Sequence, residues 1–506
     1  MATDAIQPRD PGSNLDPTTS TAKLGLILGL VLGGGTIVLA PLVATPDGLS
    51  VAAIRTLGVT LLVGIWWVTE ALPLGATGLV PAALFPLLGI APAAKLAPAY
   101  MSPFIMLLLG GFLLSMALER SRAHERLALH ALLIVGTSAR NLVLGFLIAT
   151  AGVSMWISNT SATLIMMPIA LALVQRTRSD DPGARGFAPA LLLSTAYGAS
   201  VGGMGTPIGT PPNLIAIGAL EKAFPDGPKL TFVSWMVSGV PAVLVIVPIA
   251  WLLLTRFAIK VPKSLELGAG DLVRSELERL GPWRSFERRA LALFGVAAVM
   301  WMSREDVSFG DFSIAGWATR LGLDGLPDDG TVAMLLVVLA FMIPSGERTG
   351  DRMLRWEDAA RAPWDLVLLF GGGMAISTGF VSTGLSTWLG EGMARLGAGS
   401  AFGFMAVASL GATFLTEFMS NTALANIAMP MIAAAAGSFP GTDPRLFIVS
   451  VALGTSCAFM MPAATGPNAI VFGTGKIRIR EMARAGVLLN FSAWAVIVAA
   501  SWLAYG

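Results

Sequence analysis

Two apolar stretches of this sequence, residues 141–175 and 401–436, are each too long to be a single membrane helix. At 1.5 Å per residue, about 35 residues of unbroken helix would run about 52 Å, against about 30 Å of hydrocarbon. Each stretch carries a Ser-Asn-Thr triplet near its middle, Ser158-Asn159-Thr160 in the first and Ser420-Asn421-Thr422 in the second. Polar residues at that depth break the helix, and each arm is then shorter than the roughly 20 residues that a span requires. A re-entrant hairpin, entering and leaving on one face, satisfies both facts. Arg140, Arg176 and Arg178 flank the first stretch, whereas Arg395, Asp443 and Arg445 flank the second. The less basic surroundings of the second place its ends on the opposite face.

The rest of the chain reads in the same terms. Hydrophobic residues make up 55% of the 506 and charged residues only 13%, about half the charge that a soluble globule carries. The runs predict spans at 24–45, 51–71, 74–92, 101–118, 232–255, 290–303, 331–344, 363–381 and 485–504, with broken helices at 189–220 and 446–475. The expectation is an all-α polytopic membrane protein of about eleven transmembrane helices plus two hairpins, in the cell membrane (the inner membrane of a bacterium). Residues 1–22 read as a disordered cytoplasmic tail, 23–255 as the first span plus a first repeat, 256–289 as a cytoplasmic linker and 290–506 as a second repeat. The basic loops, Arg256 through Arg289 and Lys476 through Arg484 among them, then share one side, with the amino terminus inside and the carboxyl terminus outside. Stretches 119–136 and, more weakly, 383–396 are amphipathic and are expected to lie in the interface.

The repeat is visible in the residues. Asn159 stands nine positions before Pro168 and Asn421 nine before Pro430; Gly209-Thr210-Pro211-Pro212-Asn213 matches Ala464-Thr465-Gly466-Pro467-Asn468; Gly110-Gly111-Phe112 has a counterpart in Gly371-Gly372-Gly373. With hairpins of opposite entry the repeat is inverted, the construction by which secondary transporters build a site reachable from both faces. Each break frees backbone N–H groups at one half-helix and carbonyls at the other. Helix amino termini and hydroxyls suit carboxylate oxygens, whereas carbonyls and the Asn oxygen suit a hard cation such as sodium.

Other classes find less support. The net charge of +2 is spread over many loops, so no nucleic-acid partner is expected. Cys457 reads as a packed hydrophobe. His124-Glu125 would need a second histidine where Ala128 stands, and Gly475-Lys476 is followed by Ile477, so neither a zinc protease helix nor a nucleotide-binding loop is present. No enzyme activity and no cofactor are expected; the histidines read as an interfacial pair. An anion channel is the alternative of another class, since broken helices also line pores. Glu417 either makes structural hydrogen bonds or carries a proton, and Glu70 is read the same way.

At these residues the chain resembles the divalent-anion/sodium symporter family, which carries dicarboxylates, citrate or sulfate. The segments that carry the resemblance are Trp66-Trp67-Val68-Thr69-Glu70-Ala71-Leu72-Pro73, Ser154-Met155-Trp156-Ile157-Ser158-Asn159-Thr160, Gly209 to Asn213, Thr416-Glu417-Phe418-Met419-Ser420-Asn421-Thr422, and Pro467-Asn468-Ala469-Ile470-Val471-Phe472-Gly473. The resemblance implies a homodimer in which a scaffold holds an elevator-type transport domain. It implies one sodium site from Ser154, Ser158, Asn159 and the backbone of Gly209, and a second from Thr416, Asn421 and the backbone of Met419 and Ala464. The substrate, a small dianionic carboxylate, would touch Asn159, Thr160, Ser420, Asn421, Thr422 and Thr465. Threonine at both tips favours a four-carbon dicarboxylate (succinate, malate or fumarate) in sodium symport; citrate or sulfate as substrate, and sodium-independent dicarboxylate exchange, are the alternatives within the family. Gly466 departs from the family's Thr-Pro-Pro-Asn pattern and is expected to leave more room beside Thr465.

Overall fold

The computed structural model describes residues 20–43, 49–136, 138–176, 184–262, 269–309, 312–389 and 400–506. Most of the expected tail, part of the linker at 263–268 and the end of the weaker amphipathic stretch from 390 lie outside them. The described chain is helical apart from one two-stranded antiparallel ribbon, Val307–Phe309 with Phe312–Ile314. Six helices among the described residues are long and apolar enough to cross a membrane: Ser20–Leu39, Val51–Thr69, Ala93–Ser121, Phe232–Phe257, Trp364–Thr383 and Ile479–Tyr505. The other expected spans correspond to shorter, more charged or interrupted helices. Leu74–Leu87 is one, with Pro81 and Pro86 inside it; Asp329–Met342 is another.

Packing divides the chain into two units. One is Met1–Ser102 with Pro363–Gly392; the other is Pro103–Ala362 with Met393–Gly506. The division does not follow the sequence repeat: residues 23–255 and 290–506 each contribute to both units, and Gly110 and its counterpart Gly371 fall in different ones.

In the first unit glycines set the helix spacing. A Cβ at Gly372 of Trp364–Thr383 would stand 2.5 Å from the carbonyl oxygen of Gly78, and one at Gly33 would stand 2.5 Å from Leu62 Cβ. Small residues let membrane helices approach backbone to backbone, where dispersion replaces the missing hydrophobic drive. The Tyr100 hydroxyl donates to the same Gly78 carbonyl at 2.7 Å. Val51–Thr69 begins at Ser50, whose hydroxyl accepts the Ala53 N–H, and ends at Glu70 in the left-handed region at φ 49°.

The second unit holds the broken helices. The first apolar stretch is two helices, Ala139–Ser154 and Asn159–Gln175, and the second is also two, Ala401–Leu415 and Asn421–Ala436. Ala139–Ser154 lies along Ala184–Gly203, where Gly198 and Gly202, one turn apart, face the carbonyls of Leu147 and Ala151. Ala401–Leu415 lies in the same way along Arg445–Thr455, with Ser409 Oγ donating to the Ser450 carbonyl at 2.9 Å. The second arms exchange partners: Asn159–Gln175 also packs on Gly466–Gly473, and Asn421–Ala436 on Pro211–Ala223.

The amphipathic stretch at 119–136 contains the helix Ala123–Val135, entered through Arg122 at φ 62°. Its charges do not all face outward. Arg126 turns inward to Glu287 at 3.2 Å, with side-chain exposures of 4% and 0%, and also donates to the Gly281 carbonyl at 2.9 Å. His124 is buried as well, its ring nitrogen 3.1 Å from the Leu118 carbonyl. The expected interfacial histidine pair is therefore corrected: of the two, only exposed His130, stacked near Trp283, keeps an accessible ring. Removing one partner of a buried pair strands the other charge at a cost of about 3–5 kcal/mol, whereas replacing both with apolar residues can be neutral. Glu287→Leu is thus expected to lower the melting temperature of the detergent-solubilised protein, and Arg126→Leu with Glu287→Leu to recover part of the loss. Additive losses in the double variant would contradict the pairing.

Candidate functional site

Both breaks are built around the same three oxygens. In the first, Ser154 Oγ lies 2.8 Å from Asn159 Oδ1, across the break, and 2.8 Å from the carbonyl of Ala199 on the neighbouring helix. In the second, Thr416 Oγ1 lies 2.6 Å from Asn421 Oδ1 and 2.8 Å from the carbonyl of Thr455. A hydroxyl has one proton, an amide oxygen and a carbonyl have none, so each triad holds three oxygens and a single proton to share. Such an excess of lone pairs is the environment of a hard cation. Ser154 and Thr416 are fully buried, whereas Asn159 and Asn421 are half-buried.

The linkers beyond the triads are also matched. Asn213 uses both amide protons, on the carbonyls of Gly203 at 2.9 Å and Thr206 at 2.7 Å. Asn468 does the same to Ala458 and Met461, both at 3.0 Å. Spending both protons fixes the amide orientation, and it leaves Asn213 Oδ1 and Asn468 Oδ1 buried without a hydrogen-bond donor. A buried acceptor left so costs roughly 1–3 kcal/mol. These two asparagines were visible as the last residue of each repeated motif, but the sequence assigned them no role.

Of the first expected sodium set, Ser154 and Asn159 are bonded directly, and Gly209 joins them through Gly203. A Cβ on Gly203 would stand 2.5 Å from Asn159 Oδ1 and 3.1 Å from the Gly209 carbonyl oxygen. Ser158 is differently occupied: its hydroxyl caps Asn159–Gln175 by accepting the Ser161 N–H at 3.1 Å, and it lies 2.9 Å from Ser161 Oγ. Of the second set, Thr416 and Asn421 are bonded, half-buried Met419 lies in the tip, and Ala464 is buried in the linker with its N–H on the Met461 carbonyl at 3.3 Å.

The expected substrate residues stand at helix starts. Asn159 and Thr160 open Asn159–Gln175, Asn421 and Thr422 open Asn421–Ala436 behind Ser420, and Thr465 caps Gly466–Gly473 by accepting the Asn468 N–H at 3.2 Å. Thr422 is buried and the others are half-buried. Free N–H groups and the positive end of the helix dipole favour anions at such termini. The two halves meet at Gly466, where a Cβ would lie 2.5 Å from Thr160 Oγ1. The room that the glycine leaves is therefore filled by the first tip's own threonine. The Thr206 hydroxyl also bonds the Met155 carbonyl at 2.5 Å, which ties the first linker to its tip.

A helical membrane protein with two such breaks is a recognisable class, and the chain belongs to the family described as the sodium:sulfate symporter transmembrane region, which matches residues 22–505. Among individual proteins, it is 37% identical over 483 residues to the sodium-dependent dicarboxylate transporter SdcS of Staphylococcus saprophyticus, covering 94% of this chain and 91% of that one. It is 35% identical over 481 residues to SdcS of Staphylococcus aureus, covering 94% and 90%. Two solved structures share the fold: MtrF of Neisseria gonorrhoeae, reported with a class of antimetabolite efflux pumps, and the YdaH transporter of Alcanivorax borkumensis. MtrF has a TM-score of 0.57 at 15% identity, with 94% of each chain covered. YdaH has a TM-score of 0.53 at 13% identity, with 96% of this chain and 98% of that one covered. At those identities the likeness is one of fold alone.

Gly466→Ala is expected to displace Thr160 and to raise the substrate KM by about tenfold, roughly 1.4 kcal/mol. Gly473, which has open space where a Cβ would go, supplies the control variant Gly473→Ala. An unchanged KM in Gly466→Ala would remove Thr160 from the substrate site.

Proposed function

We propose that this chain is a sodium-coupled symporter of small divalent anions, C4-dicarboxylates such as succinate, malate or fumarate above all. The observation that carries the proposal is the pair of oxygen triads, Ser154–Asn159–Ala199 and Thr416–Asn421–Thr455, each beside a helix start of the kind that suits anions. The site residues are uncharged. A dianion in a low-dielectric pocket without arginines needs cations beside it, and sodium ions at the triads would offset its charge. The names of the Staphylococcus relatives agree in both substrate and ion.

In this reading sodium binds first. Its bonds to Asn159 and Asn421 draw the two tips into register, so that Asn159, Thr160, Ser420, Asn421, Thr422 and Thr465 present hydroxyl, amide and backbone N–H donors to the two carboxylates. Ser158, Gly209, Met419 and Ala464 complete the cation shells. The broken pairs act as re-entrant hairpins from opposite faces, within an inverted repeat of 23–255 and 290–506 and about eleven spans. The protein works as a homodimer in the cell membrane, amino terminus inside and carboxyl terminus outside, with an elevator-like movement that exposes the site to each face in turn.

Radiolabelled succinate uptake into proteoliposomes tests the proposal. Concentrative uptake is expected with an inward sodium gradient and not with choline in its place. Uptake that requires internal dicarboxylate and ignores sodium would make the protein an exchanger. Uptake of citrate or sulfate alone would change the substrate. Asn159→Ala and Asn421→Ala each remove one triad oxygen and one anion donor and are expected to lower sodium-dependent uptake at least about tenfold; normal uptake in both would refute the site.

A further inference from the structure

The two breaks differ in charge at one position. Where the first tip has Met155, the second has Glu417, a carboxylate only 2% exposed. Its Oε1 accepts the N–H groups of Phe459 at 2.7 Å and Met460 at 2.8 Å and the Asn490 amide at 2.7 Å, and its Oε2 accepts the Met461 N–H at 3.0 Å. All four partners are donors, which suits the acceptor-only ionised form. No Lys, Arg or His forms an ion pair with it among the described residues, unlike buried Glu287, which has Arg126.

The reason for this arrangement lies in the linker. After Ala184–Gly203 the N–H groups of Met204 and Gly205 are met by turn bonds three residues back, to Val201 at 3.2 Å and Gly202 at 2.9 Å. The matching helix Arg445–Thr455 stops earlier relative to its linker, and the N–H groups of residues 459–461 turn to the carboxylate instead. Residues 458–461 are thus held from both sides, Glu417 taking their N–H groups and Asn468 their carbonyls. Met461 in turn accepts the Ala464 N–H at 3.3 Å, so the carboxylate fixes the backbone that precedes Ala464, while its own neighbour in sequence, Thr416, is the triad hydroxyl.

We propose, resting on the sodium-symport reading, that Glu417 is a positioning residue for the second cation site and that the coupling sodium ion there is its counter-ion. A buried charge without an ionic partner is costly until a cation arrives, so the charge of Glu417 strengthens sodium binding at the second site. The proposal also ties the site to the last helix, because Asn490 belongs to Ile479–Tyr505.

The test is the sodium activation curve of succinate uptake, with KM for succinate measured at saturating sodium, in wild type, Glu417→Gln and Asn490→Leu. Glu417→Gln is expected to raise the half-activating sodium concentration about tenfold or more and to lower the Hill coefficient, with succinate KM changed less than about threefold. Asn490→Leu removes one donor and keeps the charge, so its sodium curve is expected to shift less than about threefold. Equal shifts in the two variants would make network geometry the cause and overturn the counter-ion. If Glu417→Gln does not fold, Glu417→Asp keeps the charge with a shorter reach and is expected to retain sodium affinity within about threefold; a tenfold loss there overturns the proposal. A sodium-dependent wild type whose curve superimposes on that of Glu417→Gln overturns the proposal alone. A wild type indifferent to sodium removes the symport reading, and the proposal with it.

Discussion

The bond from a buried hydroxyl to the asparagine across a helix break, Ser154 to Asn159 and Thr416 to Asn421, is the constraint on which the rest of this site depends. A membrane helix cannot stop at mid-depth unless its orphaned backbone groups find partners. The hydroxyl holds the two half-helices together and also binds each pair to the helix alongside, through the carbonyls of Ala199 and Thr455. The same geometry that makes the break tolerable leaves three oxygens sharing one proton. In the proposed symport, structural need and cation binding come from one arrangement, and a substitution that weakens one weakens the other.

The linkers extend this logic. Asn213 and Asn468 each close a turn by giving both amide protons to backbone carbonyls, which fixes the linkers at 203–206 and 458–461 and keeps the amide oxygens without a donor. Because Asn159–Gln175 packs on Gly466–Gly473 and Asn421–Ala436 on Pro211–Ala223, each tip is completed by the other half's linker. The contact of Thr160 with Gly466 is the closest expression of that exchange. In the proposed symport, that exchange is what would link a cation at one triad to an anion between the tips.

Much of this was legible in the sequence, for physical reasons. The break positions followed from length against bilayer thickness: Ser154 and Asn159 end and begin the helices near the predicted Ser-Asn-Thr triplet, and Thr416 and Asn421 repeat the pattern. Repetition marked Asn213 and Asn468, but composition could not say that their protons would both be spent on carbonyls. The burial of Arg126 inside the amphipathic stretch had no sequence signal, because hydrophobic periodicity reports a helix face and not a partner 161 residues away; Glu287 pairs its charge from a distant helix. Gly466 was read as added room, whereas Thr160 from the other half fills it. Long-range partners of this kind carry no local signal.

The most direct test of the central claim is sodium binding in the absence of substrate, read as thermal stabilisation of the purified protein when sodium replaces choline at constant ionic strength. The triads as cation receptors predict a saturable rise in melting temperature with sodium for the wild type and its loss when Ser154→Ala and Thr416→Val are combined. An equal response to sodium and choline in the wild type, or an undiminished sodium response in the double variant, would contradict the account.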